Sequence, residues 1–323
     1  LYTLSLHDAL PILSPHTIRD YSTTLAHFQR FVEGDPPLAD IDAGVIARFM
    51  ASLALPQPRG GAVAVPDAPL SKKTALNRHT GLSALWSWAL REKLVTRNVV
   101  REVTPPRPEK RAIEPLSEAD VRALLAVCDR TRAYSRPGKR ACDNARPTAL
   151  RDRLIIFLLL DTGMRVSELC GLTAHAVDLR NRQVFVTGKG DKERALPVSA
   201  ETAKVLWKYM KSRAEAKASA PLLAAVNGDP LTRIAVLQML ADLGERAGVR
   251  DVHPHRFRHT FAINMLRNGG NVYALQLALG HTTLEMVRTY LALAQADLRT
   301  AHEEASRSEE RRDGKECRSR WSP

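Results

Sequence analysis

The sequence of 323 residues is poor in what several large protein classes require. It has 4 cysteines, Cys128, Cys142, Cys170 and Cys317, with no CxxC pair and no zinc spacing among them. Neither a disulfide framework nor a structural zinc site is indicated, and Cys128 and Cys170 are expected as plain core residues of a protein from a reducing interior. The longest apolar run, Leu154 to Leu160, is far too short to span a bilayer, so no membrane partner and a cytoplasmic protein are expected. Aromatics make up 5% of the chain against 44% hydrophobic residues overall, which suits a helix-rich globular protein better than an all-β or disordered one. A GxxxxGK[ST] nucleotide loop is missing, as is any cluster of carboxylates. Acidic residues are outnumbered 35 to 48 by basic ones, leaving a formal net charge of +13. Such an excess favours a polyanionic partner, because each neutralised phosphate releases condensed counterions. A basic enzyme unrelated to nucleic acid carries the same balance.

The ends differ from the middle. Residues 1–13 and the tail 305–323 are expected to be foreign to the fold, since both resemble translated sequencing-adapter read-through and the tail has no apolar periodicity. From Ser14 the pattern is helical: Ser14 can cap a helix with Pro15 at its first position, and Ile18, Tyr21, Leu25 and Phe28 follow at helical steps. A second helix is expected over Ala43–Ala54 and a third after Ser71, separated by a Pro- and Gly-rich loop, Pro56–Pro69. Trp86 and Trp88 on the third read as core. Residues 14–104 therefore form a helical domain, and 105–115, with Pro105, Pro106 and Pro108, a linker. A second domain covers 116–304. It opens with a Ser117/Asp120 capping box, continues through a basic insert (Arg130, Arg132, Arg136, Lys139, Arg140, Arg146) and enters a buried helix flanked by Asp152 and Asp161. Short strands are expected around Ala176–Leu179, Gln183–Thr187 and Glu193–Val198, with everything after Ala200 helical.

Four clusters carry chemistry. His253-Pro254-His255-Arg256-Phe257-Arg258-His259 places His255 and Arg258 three apart on one helix face, with His259 expected to point away from His255. Three close histidines also suit a metal, but no carboxylate lies at ligand spacing beside them. Gly163-Met164-Arg165 puts an arginine at a helix start, where Glu168 one turn later can orient it; an ordinary surface Arg–Glu pair has the same spacing. Gly188-Lys189-Gly190 sets a lysine on a hairpin tip, where it can donate a proton to a phosphate ester or simply lie in solvent. Gly280-His281 ends a helix nine residues before Tyr290, which taken alone is also a plausible half-buried structural tyrosine.

In order and spacing together, Arg165, Lys189, His255-x-x-Arg258, Gly280-His281 and Tyr290 resemble the tyrosine recombinase, or phage integrase, family, close to its Xer-like and integrative-element branches. The resemblance spans Ser14 to about His302. It implies a mainly α fold with a small β-hairpin sheet: an N-terminal helical core-binding (SAM-like) domain and a C-terminal α+β catalytic domain that clamp DNA between them. It implies a site-specific recombinase that cuts and rejoins DNA through a 3′-phosphotyrosyl bond at Tyr290, without ATP, metal or other cofactor. Arg165 and Arg258 would hold the non-bridging oxygens of the phosphate, and Lys189 would protonate the leaving 5′ oxygen. His255 would assist proton transfer from the tyrosine, His281 would hydrogen-bond the phosphate, and Glu168 would support Arg165 from behind. The implied partners are double-stranded DNA with specific recombination sites, further copies of the chain in a homotetramer or paired dimers, and accessory proteins that remain to be identified. The chemistry is sensible in its own right, because a tyrosine hydroxyl with a reference pKa of about 10 is a weak nucleophile that needs a base and a charge-neutralised phosphate. A type IB topoisomerase-like or telomere-resolving enzyme would share it. A DNA-binding regulator with idle catalytic residues would bind without forming a covalent adduct, and a metal-dependent nuclease would be abolished by EDTA.

Overall fold

The computed structural model describes residues 15–32, 34, 36–56, 68–109, 114–132, 144–188, 193–213, 219–280, 284–285 and 287–294. The two end segments expected to be foreign, and the residues Ser14, Lys189 and His281, lie outside this set. The chain divides into two compact units, Leu1–Ala112 and Ile113–Pro323. Among the described residues no helix is long and apolar enough to cross a membrane.

The first unit contains helices α1 (Pro15–Phe31), α2 (Ala43–Ser52) and α3 (Lys72–Arg91), with short 3-10 turns at Leu38–Asp40 and Val99–Glu102. Asp42 and Ser71 start α2 and α3 by accepting from Val45 N (2.8 Å) and Thr74 N (3.1 Å), satisfying backbone donors that a helix start leaves free. Trp86 is fully buried among Phe28, Phe49, Ile46 and Leu82, with the Phe28 ring edge-on to it at 5.8 Å. Buried His79 joins α3 to the second turn. Its Nε2 faces the carbonyls of Val100 (3.1 Å) and Val103 (3.0 Å), which only accept, so that nitrogen carries the proton.

The second unit contains α4 (Glu118–Val127), α5 (Ala149–Thr162), α6 (Val166–Cys170), strands β1 (Val177–Asp178), β2 (Gln183–Thr187) and β3 (Glu193–Pro197), then α7 (Ala200–Lys211), α8 (Arg233–Ala247), α9 (Pro254–Arg267) and α10 (Val272–Leu279). Residues 287–294 are helical again. The strands form one antiparallel sheet in the order β1-β2-β3, with Val186 opposite Arg194 and Val184 opposite Leu196. Alternation along β2 buries Val184 and Val186 in the same core as Leu154, Ile155, Leu158 and Leu159 of α5. That helix is apolar nearly all round because α7 and α9 both pack on it. Ser117 and Asp120 close the expected capping box at α4.

Not everything after Ala200 is helical. Residues 219–231 between α7 and α8 are turns and bends with isolated bridges: Leu222 N bonds Leu172 O at 2.7 Å and Leu231 N bonds Leu223 O at 3.1 Å, around a turn at Asn227-Gly228. Pro221 and Pro230 cannot donate to a helix and disfavour helical backbone before them. The basic insert is also partly accounted for inside the unit. Arg132 pairs with Asp242 and Glu245 of α8, and Arg146, with Arg151 and Thr148, satisfies the fully buried Asp152 at 2.7–2.9 Å.

Candidate functional site

Two helix ends and one strand bring the chemistry together. Helix α5 stops at Gly163, whose left-handed backbone (φ +58°) turns the chain toward Arg165; a Cβ there would come within 2.3 Å of the Phe261 ring. Arg165 then stands at the N-cap of α6. Its backbone N donates to Glu168 Oε2 (2.8 Å) and its guanidinium to Glu168 Oε1 (3.0 Å). Helix α10 ends at Gly280 (φ +61°), where a Cβ would approach the Arg194 guanidinium to 3.1 Å. Three consecutive carbonyls at this helix end each receive a different guanidinium. Ala278 O accepts from Arg194 (3.0 Å), Leu279 O from Arg258 (2.7 Å) and Gly280 O from Arg165 (3.2 Å). The C-terminal end of a helix is its negative pole, which favours cations there.

Arg258 comes from α9, which begins at His253, its side chain capping Arg256 N at 3.3 Å, followed by Pro254 at the first helical position. Besides Leu279 O, it donates to Gly163 O at 2.7 Å, and it is 4% exposed. Burial first, and Arg165 second, pull its pKa down to about 10, while Glu168 and Tyr290 oppose the shift; it stays charged at neutral pH. Glu168 is likewise buried and also takes both arms of Arg194, at 3.1 and 2.8 Å. Burial alone would raise its carboxyl, but the hydrogen bonds from Arg194 and Arg165 outweigh it and hold the group below its ordinary value. Three guanidiniums (Arg165, Arg194, Arg258) against one carboxylate leave the cleft with an excess of two positive charges. Such a cleft is built for an anion.

Tyr290, on the helical stretch 287–294, is 3% exposed and packs with Ala262, Ile263, Leu275 and Leu279. Its hydroxyl lies 2.8 Å from His259 Nδ1. Burial raises the phenol's pKa and Arg258 opposes the rise, so the hydroxyl sits within the field of that guanidinium. His255 is kept below its ordinary pKa by burial first, then by the charges of His253, Arg258 and Arg165.

A model of the phage integrase family matches residues 115–297. The chain belongs to the phage integrase family. Tyrosine recombinase XerC of Mycobacterium sp. is 32% identical over 297 residues, covering 90% of this chain and 93% of that protein. XerC of Pelobacter propionicus is 29% identical over 298 residues, covering 91% and 90%. In fold the chain is similar to the Tn1549 transposon integrase, solved in complex with a circular intermediate DNA, at a TM-score of 0.70 and 20% identity over 92% of this chain and 96% of that one.

Of the residues read from the sequence of this phage integrase family member, Arg165, Glu168, His255, Arg258 and Tyr290 share one region, while Lys189 and His281 lie outside the described residues. Two others were missed. Arg194 sits on β3, seen in sequence only as one more charge beside a turn. His259 does not point away from His255: four residues apart on α9 they share a face, and each is close enough for His255 to lower the pKa of His259. Spacing was the available signal for His259. For Arg194 there was none short of the strand register.

The depressed carboxyl of Glu168 gives a stability signature. Because its folded pKa lies below its unfolded one, the stabilisation is complete above the ordinary glutamate value of about 4.3 and fades as pH falls through the lower folded value. Glu168→Gln should therefore cost the second unit about 1.5–3 kcal/mol at pH 7, as expected for lost hydrogen bonds to a charged group. Denaturant unfolding of both proteins from pH 7 to pH 3 reads the difference, which should shrink on the acid side; a gap that stays constant over that range would show that Glu168 is not held as a carboxylate.

Proposed function

We propose that the chain is a site-specific DNA recombinase that cuts and rejoins double-stranded DNA through a 3′-phosphotyrosyl intermediate at Tyr290, without ATP or metal. The observation that carries this reading is the convergence of Arg165 and Arg258 on the end of α10, whose Leu279 also packs in one cluster with Tyr290. Arginine supplies a permanent forked cation matched to phosphate oxygens, so Arg165 and Arg258 hold the two non-bridging oxygens of the scissile phosphate. Both guanidiniums are already fixed on backbone carbonyls and Glu168, so little reorganisation is needed when charge develops on phosphorus. The family resemblance gives His255, three residues before Arg258 on α9, a part in proton transfer from the tyrosine, and His281 a hydrogen bond to the phosphate. Lys189, which lies between β2 and β3 in the sequence, protonates the leaving 5′ oxygen. Glu168 positions Arg165.

One phosphodiester is exchanged for another of similar energy, so the reaction needs no fuel. Residues 14–104 act as a core-binding DNA-binding domain and 116–304 as the catalytic domain, joined by 105–115, and the protein works in the cytoplasm where its DNA lies. The active form is a homotetramer, or paired dimers, because two sites must each be cut on both strands. Sedimentation of the protein on paired sites should give four chains per two duplexes; chains that remain monomeric on both would contradict the assembly.

The test of the reaction uses a duplex recovered from a random pool by binding to the protein, then nicked near the cut so that the freed end is lost. In EDTA, the wild-type chain should form a covalent protein–DNA adduct on a denaturing gel. Tyr290→Phe should bind the same duplex and form none, and Arg258→Ala should slow the adduct by about 10²–10³. Binding without an adduct from the wild-type protein on every recovered duplex would contradict a recombinase.

A further inference from the structure

The partner of the nucleophile's hydroxyl is a histidine that the four sequence clusters did not place in the site. Tyr290 Oη and His259 Nδ1 are 2.8 Å apart, with the two rings 5.5 Å apart and inclined at 50°. At 3% exposure the tyrosine has little access to bulk water, so a proton leaving its hydroxyl needs an acceptor inside the protein. Arg258 and Arg165, the charged groups nearest the phosphate pocket, cannot take it, since guanidiniums are donors only. His255 lies on the same face of α9 one turn closer to its start and is the more exposed of the two. The phenol's hydrogen-bond partner is His259.

Resting on the recombinase reading above, we propose that His259 is the base that takes the phenolic proton when Tyr290 attacks DNA. With its own proton on Nε2, the neutral imidazole presents the Nδ1 lone pair to the hydroxyl, which donates. As Tyr290 Oη bonds to phosphorus and the bond from phosphorus to the 5′ oxygen breaks, the phenolic proton passes to His259 Nδ1. The departing 5′ oxygen takes a proton from Lys189. One proton is accepted on the nucleophile's side and one donated on the leaving group's side, and no oxidant, reductant or further reactant enters. In the reverse step, when a 5′ hydroxyl attacks the phosphotyrosine, His259 returns its proton to the phenolate as that leaves.

The surroundings keep the imidazole ready for this role. It is half-buried on α9, and burial first, then His255, His253 and Arg258, hold its pKa below the ordinary histidine value, so it is neutral and able to accept at pH 7. Position along the helix separates the two tasks. Arg258 is buried toward the carbonyls of Gly163 and Leu279, while the next residue, about 100° further round the helix, turns to the stretch 287–294. Charge binding and proton transfer thus come from adjacent residues on different faces of one rigid element.

The experiment follows single-turnover adduct formation by the full chain on the nicked duplex, and on the same duplex with sulfur in place of the bridging 5′ oxygen. Sulfur leaves without needing a proton, so it relieves defects on the leaving-group side only. His259→Ala and His259→Gln should both bind the duplex as the wild type does, and both should form adduct about 10²–10⁴-fold more slowly, the range of general acid–base catalysis. The deficit should persist on the sulfur substrate, whereas Lys189→Ala should recover there. Wild-type rates from His259→Gln would overturn the proposal, because glutamine can hydrogen-bond the phenol but cannot carry its proton. Recovery of the His259 variants by sulfur would overturn it too, placing the residue on the leaving group instead. Adduct formation by Tyr290→Phe would sink the recombinase reading itself, and is told apart from a failure of His259 by that variant alone.

Discussion

The end of α10 is where the catalytic unit is tied together. Its last carbonyls, at Ala278, Leu279 and Gly280, hold guanidiniums brought by β3, by α9 and by the start of α6. Three like charges this close repel, and a buried guanidinium without partners costs several kcal/mol in lost hydration, on the order expected for any buried ion. The helix end, the Gly163 carbonyl and the Glu168 carboxylate offset that cost together. No one of them can be moved without exposing an uncompensated cation. Gly280 suits this helix end, since its left-handed backbone favours glycine and a Cβ there would stand 3.1 Å from the Arg194 guanidinium. The fixed relation of α10 to α9, on which Tyr290's surroundings depend, follows from the same contacts.

Glu168 extends this knot toward the sheet. It receives Arg165 from its own helix and Arg194 from β3, so that strand is anchored beside Arg165. A surface Arg–Glu pair contributes little, but a carboxylate with 4% of its side chain exposed and two bound guanidiniums is a structural joint. That pairing leaves an excess of positive charge among Arg165, Arg194 and Arg258.

Local chemistry was legible in the sequence and tertiary convergence was not. Ser71, Ser117 and Asp120 announced helix starts because capping depends on residues three apart, and Gly280 announced a helix end because only glycine takes that backbone without strain. Arg165 with Glu168 could be read from helical spacing, although the spacing did not say whether the pair was buried. Arg194 could not be read, because its partners lie 26 and 84 residues away and nothing local distinguishes it from a solvent-facing turn residue. His259 was misread as facing away from His255 when a four-residue step keeps two helical side chains on one face. The non-helical segment 219–231 carried its own warning in Pro221 and Pro230, which the surrounding helical periodicity masked.

Arginines that are fixed before DNA arrives are the centre of this description, and their motion in the free protein is directly measurable. With ¹⁵N-labelled arginine in the DNA-free chain, Arg258 and Arg165 should show separate, slowly exchanging guanidinium nitrogens, assigned by loss of each signal in its Lys variant. Exposed Arg122, paired with Glu118 on the surface of α4, serves as the mobile reference. Slow rotation at both positions without DNA is the expected result. Averaged signals like those of Arg122, sharpening into distinct lines only when DNA is added, would contradict a pocket assembled in advance.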